Sequence, residues 1–210
     1  MRIPVLPSEK ETHWMKKEAI KKKLTDKPSH FSDDSAEIHF YRANEKPYGA
    51  FSNLFRRSLL FEGQIFPTAE HAYQAGKARK ESVREWLLSA PSPALVAMAA
   101  HGLYTWDIVP NWSSIKFERM RQVLRAKFTQ HEDLYSLLLS TGEARIVEVG
   151  TADNSVNRMW GEVNGKGKNM LGVLLMEVRS ELRIKVSFSK EKILRGEDSK
   201  KINACGHRKI

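Results

Sequence analysis

The spacing of apolar and polar positions divides this 210-residue chain into short strands and longer helices. Ile38-His39-Phe40-Tyr41 reads as a strand. Ser58 to Phe66, SLLFEGQIF, holds two apolar runs that fold back at Glu62-Gly63 as a hairpin. After Pro67-Thr68 the period turns helical. That pair is a start signal with Thr68 as N-cap, and it predicts a helix from Ala69 to about Lys80. Further helical stretches fall at 82–90, 93–101, 114–128 and 131–140, the last closed by Gly142. Residues 145–149, RIVEV, read as a short buried strand. Residues 164–168, NGKGK, form a glycine-rich turn that leads into a strongly patterned helix, NMLGVLLMEVRSELR. Together these elements predict an α+β fold, a mostly helical single domain with a small β-sheet, over residues 37–182.

Residues 1–36 read as an extension. Within it, 9–24 (EKETHWMKKEAIKKKL) fits a short amphipathic helix with Trp14, Ile20 and Leu24 as its apolar contacts. The segment 46–55, KPYGAFSNLF, mixes Pro, Gly, Ser and Asn with aromatics, the composition of a structured loop rather than a linker. Residues 183–210 form a basic tail. The net charge is +10, yet residues 37–182 hold 18 Lys/Arg against 16 Asp/Glu, whereas 183–210 hold 9 against 3. Weak nucleic-acid contact through counterion release is therefore expected of the tail and not of the domain. A solvated tail that aids solubility is the alternative. No internal repeat is present.

No stretch reaches the roughly 18–20 consecutive apolar residues of a membrane span, and the opening MRIPVLPSEKETHW has no apolar signal core. We therefore expect a cytoplasmic protein with no membrane contact. Cys205 is the only cysteine, which excludes an intramolecular disulfide and a cysteine zinc site. The seven His residues show no metal-ligand spacing, there is no GxSxG elbow, and neither a metal nor a cofactor is expected.

Three features carry candidate chemistry. Glu70 and Lys77 lie seven residues apart on the predicted 69–80 helix, close to two full turns, so both project from one face with Tyr73 and Gln74 between them. A carboxylate, a phenol, an amide and an amine then line one face; spacing alone favours a solvent-facing helix with ordinary charges. The turn from Asn164 through Gly165, Lys166, Gly167 and Lys168 to Asn169 precedes a helix, where free N–H groups and lysines attract anions. It lacks the GK[ST] ending of a Walker loop. Trp112, Trp160, Tyr48 and Phe51 sit in or beside loops, placed either to stack on a flat ring or to pack the interior.

Five blocks in order, YGAFSN (48–53), FPTAEHAYQAGK (66–77), NW...K...M (111–120), KF.QH..L...LL.TG (127–142) and WG....GKGKNMLGVLLMEVR (160–179), resemble the NADAR, or YbiA-like, family over about residues 38–182. The resemblance implies an N-glycosidase. Family members hydrolyse early phosphorylated intermediates of riboflavin biosynthesis or remove ADP-ribose from guanine bases. It places the signature glutamate on Glu70, the signature lysine on Lys77 and the tryptophan on Trp112. It also sets Tyr48, Phe51, Ser52, Asn53, His71, Gln74, Trp160, Gly161, Gly167, Lys168 and Asn169 at the substrate. Where many members carry an aspartate three residues before the Trp-Gly pair, this chain has Asn157; Asp153, four residues earlier, is the alternative acidic partner.

The expected reaction breaks a ribose–nitrogen bond in a phosphorylated ribosylamine or ADP-ribosyl compound. Glu70 serves as acid/base or stabilises the oxocarbenium-like carbon. Lys77 either holds charge as a cation or attacks as a neutral amine through an imine. Asp153 positions water, Gly167-Lys168-Asn169 hold a phosphate, and Trp112 or Tyr48 stacks on the base. A non-catalytic ADP-ribose or NAD-type binding module is the rival reading, supported by the asparagine at 157. The sequence leaves the oligomeric state open.

Overall fold

The computed structural model describes residues 36–194. The helix expected at 9–24 and the tail beyond 194 lie outside these residues. The fold is α+β and mostly helical, with two small sheets. Strand β1 (Glu37–Phe40) pairs in parallel with β4 (Arg145–Glu148), setting Phe40 opposite Glu148. Strands β2 (Leu59–Phe61) and β3 (Gln64–Phe66) form the expected hairpin. Glu62 and Gly63 both have positive φ, 50° and 76°, the backbone that a two-residue hairpin turn requires.

The helices are α1 (Ala69–Ala75), α2 (Glu81–Leu88), α3 (Pro93–His101), α4 (Trp112–Gln130), α5 (Glu132–Ser140), α6 (Ser155–Trp160) and α7 (Met170–Leu194). Their starts follow local chemistry. The Thr68 hydroxyl accepts from the His71 N–H at the head of α1, and Ser92 does the same for α3, which opens on Pro93. Among the described residues no helix is long and apolar enough to cross a membrane.

Three differences from the sequence expectation stand out. First, α1 ends at Ala75 instead of near Lys80. The Arg119 guanidinium from α4 donates to the Ala72 and Tyr73 carbonyls at the helix end (2.7 and 3.1 Å). It fills the space beside Gly76, where a Cβ would lie 2.1 Å from it. The chain then runs alongside 107–109, with the Val109 N–H bonded to the Lys77 carbonyl and the Arg79 N–H to that of Asp107. Tertiary partners thus override helix continuation. Second, α6 was not expected. It is a short helix capped by Asn154, whose side chain accepts from the Asn157 N–H at 2.8 Å. Third, α7 continues to Leu194, beyond residue 182.

Helix α7 packs on both α4 and strand β4, and α4 also packs on β2 of the hairpin. The main core joins Phe40, Phe51, Tyr73, Leu124, Phe128 and Leu175. A second cluster joins the hairpin residues Leu59, Phe61 and Phe66 to Ala69, Ala72 and Ala75. Helix α1 lies between the two clusters, with Tyr73 in one and its alanines in the other, and all seven of its residues are buried. The solvent-facing alternative for this helix is thereby removed.

Lys127 is wholly buried in α4. Its ammonium donates to the carbonyls of Ala50 (2.6 Å) and Ser52 (2.9 Å), and the rings of Phe55 and Phe128 flank it at 5.6 and 5.3 Å. This contact pins the 3-10 turn Tyr48–Phe51 and the residues that follow it.

Candidate active site

A cavity of about 300 Å³ opens where α1, the end of β4, the loop after Phe51 and the end of α6 converge. Glu70, Tyr73 and Gln74 reach it from α1, Glu148 from β4, Ser52 and Asn53 from the loop, and Asn157 and Trp160 from α6. His101 enters from the end of α3. The loop and α1 are joined by the Glu70 N–H, which donates to the Asn53 carbonyl at 3.0 Å.

Two carboxylates dominate the electrostatics. Burial pushes the Glu70 carboxyl up to about 7, against a hydrogen bond from Gln74 Nε2 (2.8 Å) and the nearby Lys77 charge. Burial also raises Glu148 to about 7, and the negative charge of Glu70 adds to the effect. Both carboxyls are thus held toward their protonated forms, and each charge discourages the other. Glu148 is fixed from behind by Asn169. That side chain accepts from the Glu148 N–H (3.0 Å) and donates to the Ile146 carbonyl (2.8 Å). Tyr73 stays a neutral phenol, its pKa raised by burial and by Glu70. Burial lowers His101, and the Lys77 charge lowers it further. Among the described residues no three His, Cys, Asp or Glu side chains are grouped to hold a metal ion.

The NADAR domain model matches residues 39–183 of this chain. The chain belongs to the NADAR family. Among its relatives, the N-glycosidase YbiA of Shigella flexneri serotype 5b (strain 8401) is 42% identical over 148 residues, covering 70% of this chain and 89% of that protein. The riboflavin biosynthesis protein VVA0006 of Vibrio vulnificus (strain YJ016) is 33% identical over 147 residues, covering 70% of this chain and 38% of that one. The NMR structure of Escherichia coli YbiA superposes with a TM-score of 0.63 at 39% identity, covering 72% of this chain and 87% of that chain.

The structure brings the NADAR motif residues together unevenly. Glu70, Ser52, Asn53, Gln74, Asn157, Trp160 and Gly161 all line the cavity. Gly161 also packs so tightly on β4 that a Cβ would lie 2.3 Å from the Glu148 carbonyl oxygen. Lys77 lies two residues past the end of α1, outside the cavity wall. Its Nζ donates to the Ala100 carbonyl, and burial lowers its pKa against the pull of Glu70. Trp112 stands behind the site, its ring 5.1 Å from that of Tyr73. Tyr48 stacks on Phe51 (5.5 Å), and Phe51 is fully buried in the core. His71 is buried, its Nδ1 paired with the Thr68 hydroxyl at 2.7 Å.

The residues expected at a phosphate sit elsewhere. Gly167 packs against the Gly161 carbonyl. The N–H groups of Lys168 and Asn169 are spent on the Arg158 and Gly161 carbonyls (2.6 and 3.2 Å). Asp153 is exposed and held by Arg158 in a two-point ion pair. Glu148 and His101 are the chemistry-bearing groups that sequence reasoning missed. Glu148 left a trace, as the one carboxylate in the apolar run RIVEV; His101 left none.

Proposed function

We propose that this NADAR protein is an N-glycosidase that hydrolyses the bond between the ribose anomeric carbon and a nitrogen of a phosphorylated ribosyl compound. The observation that carries the reading is the placement of two carboxylates, the buried Glu70 and the half-buried Glu148, in the wall of one cavity. The protonated partner gives its proton to the leaving nitrogen as the carbon–nitrogen bond breaks. The ionised partner faces the positive charge developing on the ribose carbon. Water then adds to that carbon and returns a proton to the pair. Similarity to N-glycosidases supports the reaction class. Similarity to a riboflavin biosynthesis protein supports a phosphorylated ribosylamine of that pathway as substrate, with ADP-ribosylated guanine as the competing one.

A second route is favoured by one observation. Burial lowers the pKa of Lys77, and only a neutral amine can attack the ribose carbon. Against it, Nζ is engaged with the Ala100 carbonyl and lies outside the cavity wall. Borohydride reduction during turnover separates the two: a covalent adduct lost in Lys77→Ala supports the imine, and full turnover without an adduct supports the carboxylate pair.

The function is tested by incubating the protein with a phosphorylated ribosylaminopyrimidine and with guanine-ADP-ribosylated DNA, recording released base and sugar by mass spectrometry. Release from one substrate that is lost in Glu70→Gln is expected. No release from either, with ADP-ribose still bound, would favour a binding module.

A further inference from the structure

The polarity of the cavity is lopsided in a way that the proposed hydrolysis does not itself require. It is rich in hydrogen-bond acceptors and poor in cations. Among the described residues none of those lining it is Lys or Arg, while Glu70 and Glu148 both do. A phosphate placed there would face the carboxylates, with His101 pushed toward its neutral form and the Lys77 charge acting from outside the lining.

A second, independent observation concerns two side-chain amides in the same wall. Asn53 is 8% exposed and Gln74 is 4% exposed. Asn53 Nδ2 donates to the Met120 sulfur (3.4 Å), and Gln74 Nε2 donates to Glu70 (2.8 Å). Both amide oxygens, Asn53 Oδ1 and Gln74 Oε1, are buried with no hydrogen-bond partner among the described residues. The Gln74 orientation follows from its neighbour, since reversing the amide would set its oxygen against the Glu70 carboxylate. A buried acceptor left unpaired is costly, and native folds rarely tolerate it without a reason. Two in one cavity wall are accounted for together if a ligand supplies the donors. The last torsion of each amide is soft, so small rotations turn the oxygens toward an arriving N–H or O–H.

We infer that Asn53 and Gln74 form a donor-reading subsite that takes the neutral, N–H- or O–H-bearing part of the substrate, while its phosphate stays outside the cavity. The inference rests on the proposed ribosyl substrate, whose donors are of two kinds: the ribose hydroxyls and the amino groups of the attached ring. Specificity then comes from leaving these oxygens unpaired when a substrate lacks the matching donor, the mode of recognition that discriminates most strongly.

The test is a binding titration of the full chain by isothermal calorimetry, with four matched probes. Cytidine 5′-monophosphate is the reference. 2-Pyrimidinone riboside 5′-monophosphate lacks the amino donor without gaining a ring N–H, 2′-deoxycytidine 5′-monophosphate lacks one hydroxyl, and cytidine lacks the phosphate. Affinity is expected to fall about tenfold or more for one of the two donor changes, which names the source, and to fall less on loss of the phosphate. In Asn53→Leu the discrimination should collapse, and in Asn53→Asp, which keeps an acceptor oxygen, it should return. Equal affinity for all phosphorylated probes overturns the inference, as do unchanged discrimination in Asn53→Leu, a larger loss on removing the phosphate, or no saturable binding of any probe. Base release measured on the same preparations separates the two claims. Release without discrimination sinks the subsite and leaves the glycosidase standing; discrimination without release does the reverse.

Discussion

Lys127 shows how one side chain far from the reaction sets the site. Its burial holds the amine down to about 7, and no carboxylate compensates it. Its two carbonyl partners belong to the segment that delivers Ser52 and Asn53, and the Asn53 carbonyl in turn receives the Glu70 N–H. Lys127→Met keeps the volume but removes the ammonium from the Ala50 carbonyl and leaves the Ser52 carbonyl with only the Phe55 N–H (3.2 Å). We expect a loss of about 2–4 kcal/mol in urea unfolding and a fall in activity larger than the unfolded fraction explains. A melt unchanged from wild type would contradict the tether. Asp153 is the opposite case. Exposed and bound to Arg158, it titrates below the usual range because of that partner. Asp153→Asn is therefore expected to change the rate by less than about threefold in steady-state kinetics, since an exposed ion pair contributes little.

At the scale of elements, α1 matters because it ends early. Stopping at Gly76 lets Arg119 take the Ala72 and Tyr73 carbonyls and frees residues 77–79 to run beside 107–109. Gly76→Ala pushes a methyl into the Arg119 guanidinium, which must release those carbonyls and its two bonds to Glu62. A cost of about 1–3 kcal/mol is expected, read from thermal unfolding. This boundary also shows what the sequence could convey. Thr68 as N-cap, the Glu62-Gly63 hairpin and the helix at 93–101 were legible because their signals are local. The stop at Gly76 was not, because its cause is a side chain 43 residues away in the sequence. Helix α6 was missed because Asn157 was read as a catalytic position rather than as part of a turn capped by Asn154. The same limit applied to the site. Glu70, Gln74 and Trp160 were found through motifs, but Glu148 joins them only through the parallel β1–β4 pairing and the Asn169 contact. The phosphate-loop reading of 167–169 depended on free N–H groups, and two of these are engaged within the fold.

For the whole molecule, the paired carboxylates oppose stability while serving the site. Glu148 titrates near 7 when folded against an ordinary value of 4.5, so the folded state binds more protons between those values. Stability from this group is fully present below about pH 4.5 and is lost as pH rises through about 7. Glu148→Gln removes that dependence. The variant is expected to be more stable than wild type by about 3 kcal/mol at pH 8, with the difference shrinking toward zero near pH 4.5. Denaturant unfolding at several pH values reads this directly, and a difference that does not vary with pH would mean that Glu148 is not held in a low-dielectric wall.

The central claim is that Glu70 and Glu148 together break a ribose–nitrogen bond. The most direct measurement is the pH dependence of kcat/KM for base release in wild type, Glu70→Gln and Glu148→Gln. The account predicts a bell centred near neutral pH for wild type and a loss of roughly 10²–10⁴-fold in each variant, as expected for removing an acid–base group. A Glu148→Gln protein that keeps the wild-type rate and profile would contradict it.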